Sequence, residues 1–117
     1  MKRDLDDIAI ADGRYSPAAF RFVYEGLEYT VTHVVEERGH VSGQTLCEGL
    51  RRMAIEKYGQ LALLVLHTWN VKTTRDFGEI VYALIAQEWM SAQPTDTIDH
   101  FNNVYDFRDA FEGVSVF

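Results

Sequence analysis

Cysteine occurs once, at Cys47, so no internal disulfide can form; set in an amphipathic run between Leu46 and Leu50, it is expected to be a small buried side chain. Long apolar runs are missing too. The longest, Leu61 to Leu66, covers less than two helical turns, against the roughly 18 apolar residues a membrane span requires. The amino terminus, MKRDLDDIAI, places three aspartates where a secretory signal would carry its apolar segment, which points to a soluble, cytoplasmic protein without a membrane partner. Cations are scarce in the carboxyl-terminal half, where Lys72, Arg75 and Arg108 face eight carboxylates, within a net charge of -7 for the chain. Nucleic-acid binding depends on clustered Lys and Arg to neutralise phosphate, so that half starts at a disadvantage.

Catalytic signatures are absent as well. Asp76-Phe77-Gly78 matches the magnesium-binding triplet of protein kinases, but the glycine-rich loop, strand lysine and H-R-D loop that give the triplet its meaning are not here. There is no G-x-S-x-G elbow to make a hydrolytic triad from Ser42, His40 and Asp76 or Asp106. His33, Glu36, Glu37 and His40 contain the Glu-x-x-His spacing of di-iron bundles, yet no second copy exists, and Gly39 interrupts the helix before His40. These four read as a solvated helix end. Glu36-Glu37 and Asp6-Asp7 are sequence neighbours that diverge on a helix and are read as solvated faces. No catalytic residue, metal site or cofactor is expected.

What the chain does contain is helix after helix. With 47% apolar residues in 117 it is long enough for one core, and the whole of 1–117 is read as one mainly α domain with a peripheral segment over 1–14. Ser16 caps a helix that carries Pro17 at its first position. Phe20, Val23, Tyr24, Leu27, Val31 and Val34 form its stripe to about Glu37, with a stop at Gly39; Phe22, Gly26, Tyr29 and His33 make a second face, where the glycine invites close approach of another helix. The next helix starts at Ser42, or one turn later at a Thr45/Glu48 capping box. It buries Leu46, Leu50, Met53 and Ala54, turns Arg51, Arg52, Glu56 and Lys57 to water, and stops at Gly59. Residues 60–70, with six apolar residues in succession, are expected to be a buried central helix closed by Asn70, and His67 a core histidine. Thr73 and Asp76 then cap a helix striped by Phe77, Ile80, Val81, Leu84 and Ile85.

After Met90 a proline, an Asn-Asn pair and short apolar ends read as a strand, an acidic loop and a returning strand near Val104-Phe107, followed by a short terminal helix that lays Phe111 on the core. Three closely spaced helices and a hairpin form the layout of a winged helix-turn-helix over about 42–107. HVSGQTLCEGL, the Trp69-Asn70 turn, TTRDFGEIVYALI and NVYDF together resemble the Minf family of small bacterial hypothetical proteins, across about Tyr15 to Phe111. The sequence departs from that pattern at Thr45, where a capping glutamate is usual, and at Asn70 and Glu88, where glycines are usual. The resemblance implies a bacterial, cytoplasmic protein and brings no activity or catalytic residue with it.

Three functions are therefore weighed. A non-catalytic domain that binds a protein partner comes first. A winged-helix DNA-binding regulator comes second, with Arg51, Arg52, Lys72 and Arg75 as its contacts; against it stand the outer face Asp76, Glu79, Ala83, Ala86 and Gln87 and the acidic wing residues Asp96 and Asp99. An enzyme or metalloprotein with an unrecognised site comes third.

Overall fold

The computed structural model describes residues 3–34 and 40–112. Six α-helices follow one another: α1 (Leu5–Asp12), α2 (Pro17–His33), α3 (Gly43–Tyr58), α4 (Ala62–Thr68), α5 (Thr74–Ala86) and α6 (Phe107–Phe111), with single turns of 3-10 helix at Gly59–Leu61 and Ile98–Phe101. The start of every α-helix but α4 is fixed by a side chain that accepts an orphan backbone N–H: Asp4, Ser16, Ser42, Thr73 and Asp106. Ser42, rather than Thr45, caps α3. The segment expected to be peripheral forms α1, which places Ile8 and Ala9 in the core. The continuation of α2 to Glu37 and its stop at Gly39 lie outside the described residues.

The centre of the molecule is α2, which packs against α1, α3 and α5. Its crossing with α3 is built from small residues. A Cβ at Gly26 would stand 2.2 Å from Leu50 Cδ2, and one at Gly49 would stand 1.7 Å from Thr30 Oγ1. The close approach expected at Gly26 is therefore present, and Gly49 reciprocates it from α3. An aromatic series continues from here through the core, from Trp69 to Phe22 (5.5 Å between ring centroids), Phe77 (6.5 Å), Phe107 (5.5 Å) and Phe111 (5.3 Å). Phe111 is buried, as the sequence reading required.

Two expectations fail. Residues 60–70 are not a buried central helix. A 3-10 turn kinks the chain after Gly59, and the seven-residue α4 lies at the periphery with only Ala62 and Leu66 buried; Leu61 and Leu64 are 59% and 63% exposed, and His67 is exposed, not a core histidine. A short helix on the outside of a bundle can bury one face only, and an unbroken apolar run does not reveal which one. The second failure is the carboxyl-terminal hairpin, since no strand occurs among the described residues. Between Met90 and Asp106 the polar groups satisfy the backbone locally: Asp96 accepts the Gln93 N–H, Thr97 the Asp99 N–H, and Thr74 Oγ1 donates to Phe101 O while accepting the Val104 N–H. With its backbone groups so engaged the segment has no use for a ladder. Its anchor is Phe101, wedged between Gly43 on α3 and Gly78 on α5, where a Cβ would meet the ring at 3.0 and 2.8 Å respectively. Making room for Phe101 is thus the work of the glycine in the Asp-Phe-Gly triplet.

Two helices end in Schellman motifs that carry a non-glycine residue in the left-handed position. Asn70 (φ 66) follows α4, with Val71 N–H bonded to Leu66 O and Asn70 N–H to His67 O; Glu88 (φ 65) follows α5, with Trp89 N–H bonded to Leu84 O and Glu88 N–H to Ile85 O.

Candidate interaction surface

Most polar groups that sequence reasoning offered as chemistry are occupied in holding the fold. Asp76 completes a capping box with Thr73; its Oδ2 accepts the Lys72 and Thr73 N–H groups at 2.8 and 3.1 Å, and its Oδ1 accepts the Tyr15 hydroxyl at 2.5 Å. Burial and this carboxylate hold the Tyr15 phenol well above its ordinary pKa. Ser42 and Asp106 cap α3 and α6. His40 Nε2 lies 2.6 Å from Asp96 Oδ1, and His33 stacks on Tyr29 with Nδ1 3.1 Å from the Tyr29 carbonyl. Glu36 and Glu37 lie outside the described residues. Among the described residues no group of three or more His, Cys, Asp or Glu is placed to hold a metal ion. Cys47 is fully buried, and burial pushes its thiol up to about 12.

Three of the four cations named for DNA are drawn into ion pairs. Arg51 and Arg52 both bind Glu48, at 2.7 and 3.2 Å. Arg75 binds Glu79 and Asp99, each at 3.1 Å, and donates to Asn102. Glu79 also takes Arg14 at 2.9 Å, so this part of the outer face of α5 is neutralised from within. Lys72 alone of the four is exposed and makes no ion pair among the described residues.

Three carboxylates held by arginines titrate low. Hydrogen bonds from Arg14 hold Asp12 and Glu79 below the usual range, and those from Arg51 do the same for Glu48. For Asp96, desolvation pulls upward but is outweighed by the Gln93 N–H and by His40.

On the outer flank of α2 an apolar surface is left that the fold does not use up. The stripe of α2 splits: Phe20 and Val23 enter the core, while Tyr24, Leu27 and Val31 continue along its outer flank, Val31 being 52% exposed. The left-handed turn at Glu88 folds the chain back so that Trp89 meets this flank, edge-on to Tyr24 at 5.3 Å, its indole N–H donating to Arg3 O at 2.6 Å. On either side of Leu27 and Trp89 lie two open depressions of about 550 Å³ each, one against Tyr24 and Val31, the other against Ile85 and Met90. Leu27 and Trp89 line both, and the two together make up the shallow groove on this flank. A narrow cavity of about 50 Å³ leads inward from it beside Leu46, Val81 and Phe101. The groove was hidden from the sequence because α2 reads as one stripe; its only signal was that Tyr24 and Val31 exceed what a single core-facing stripe needs. No helix among the described residues is long and apolar enough to cross a membrane. Compared with models of protein families, with curated proteins and with solved structures, the chain finds no match in any of the three.

Proposed function

We propose that this chain is a non-catalytic domain that binds another protein, and that the groove between the outer flank of α2 and the turn after α5 is its docking surface. The observation that carries this reading is the groove itself: Tyr24, Leu27, Val31 and Trp89 form a joined aromatic and aliphatic surface open to solvent, where most exposed apolar side chains of a monomer stand singly. Aromatic anchors of this kind dominate interface energetics. The alternative, DNA recognition, loses ground because Arg51, Arg52 and Arg75 are already paired, and because no hairpin forms a wing among the described residues. Catalysis loses ground because Ser42, Asp76 and Asp106 are helix caps. The test is capture of partners from host cells with the wild type and two charge insertions. Val31→Glu should abolish the capture of a partner that Leu64→Glu, on the exposed flank of α4, leaves intact. Equal capture by all three proteins refutes the assignment of the surface.

A further inference from the structure

The rims of the groove carry information about what fills it. Glu28 lies on the α2 bank beside Leu27 and Val31, and Glu88 on the opposite bank beside Trp89 and Met90. Neither makes an ion pair among the described residues, whereas their neighbour Glu25 is tied to Lys57 at 2.9 Å. Glu88 also occupies a left-handed position (φ 65) that glycine would fill without strain. A strained residue at the edge of a binding surface points to use of its side chain.

We propose that the groove receives a basic amphipathic helix of a partner protein, its apolar stripe on Tyr24, Leu27, Val31 and Trp89 and its lysines or arginines on Glu28 and Glu88. This rests on the reading of the groove as a docking surface and adds the chemistry of the occupant. From Tyr24 to Val31 the flank of α2 runs for about 10 Å at the helical rise, the length of two turns. A helix lying along it presents anchors at i, i+3 or i+4, and i+7, with flanking positions free to reach both banks. An extended peptide has less to gain, since no sheet edge exists among the described residues for it to extend. A second copy of the chain would bring carboxylate rims and a net charge of -7 against their like.

The experiment uses a fluorescent synthetic helix of about four turns with leucines at the anchor spacing and lysines flanking them. Two controls accompany it, one with every lysine replaced by glutamate and one with the leucines scrambled. In anisotropy titrations at about 0.15 M salt the lysine peptide should bind at least tenfold tighter than either control. Glu28→Gln and Glu88→Gln, both at exposed sites and expected to give an unchanged circular dichroism spectrum, should each weaken it by about two- to fivefold and flatten its salt dependence. Equal binding of the lysine and glutamate peptides, indifference to scrambling, or no binding of the lysine peptide overturns the proposal. If the peptide fails while Val31→Glu still removes a captured partner, the occupant is wrong and the docking surface stands.

Discussion

Replacing Gly49 by alanine would probe the packing at the centre of the fold. In an isolated helix the change is favourable by about 1 kcal/mol. Here the new Cβ would stand 1.7 Å from Thr30 Oγ1, 2.7 Å from Thr30 Cβ and 3.0 Å from its Cγ2. Thr30 is fully buried, and its hydroxyl donates to Gly26 O at 2.7 Å. Rotating the side chain to relieve the shortest contact breaks that bond in a dry site, at about 1 to 3 kcal/mol. The contact to Thr30 Cβ survives any rotation, because Cβ moves only with α2; the helices must part, which costs a further 1 to 3 kcal/mol or so as overpacking. Set against the propensity gain, the net loss is about 3 kcal/mol, from these contributions. With a urea m-value of about 2 kcal/mol/M, the midpoint should fall by about 1.5 M. In a Thr30→Ala background Oγ1 and Cγ2 are gone and only the Cβ contact is left, so the cost of Gly49→Ala should shrink by at least about 1 kcal/mol, a coupling that a double-mutant cycle isolates. A neutral or stabilising Gly49→Ala, or strict additivity with Thr30→Ala, would refute the account of the α2–α3 crossing.

Other consequences are as direct. Glu88→Gly should stabilise the chain by about 1 kcal/mol by relieving the left-handed strain, whereas Asn70→Gly should be near neutral, since it also loses the bond from Asn70 Nδ2 to Arg14 O; urea melts separate the two. Cys47, buried and raised to about 12, should resist a thiol reagent in the native protein at pH 8 and react fully once urea unfolds it. Asp12, Glu48 and Glu79 have depressed folded pKa values, so the stability they lend is complete above the unfolded values near 3.8 and 4.5 and is lost as pH falls through the folded ones. The urea midpoint should therefore hold steady down to about pH 5 and drop below it. Raised groups act in the opposite sense: Cys47 and Tyr15 should erode stability as pH climbs past 9.0 and 10.0, their unfolded values. A midpoint insensitive to acid would contradict the paired geometry of Arg14 and Arg51.

Features of the fold that depend on local chemistry were readable in advance. Ser16, Ser42 and Thr73 each carry a side-chain oxygen within reach of the next turn, and each caps as its position requires. Gly26 announced a close helix contact because a mid-helix glycine needs a compensation, and Leu50 supplies it. Features that depend on tertiary context were not readable. The run from Leu61 to Leu66 has no polar contrast, so nothing in it says that Leu61 and Leu64 face outward. The Asn-Asn pair and the proline after Met90 suit a hairpin, but the segment is held by Phe101 in the notch of Gly43 and Gly78, residues more than 20 positions away. The groove depends on a left-handed glutamate that brings Trp89 onto α2. No periodicity signals a positive φ at a non-glycine residue.

The docking surface is tested most directly by an amide and indole NMR titration of the whole chain with the captured partner, or with the lysine peptide. The account predicts shift changes concentrated at Tyr24, Leu27, Glu28, Val31, Glu88 and the Trp89 indole, and abolished by Val31→Glu. Changes concentrated instead at Lys72, Arg75 and Asn103, or along Leu61 and Leu64, would contradict it.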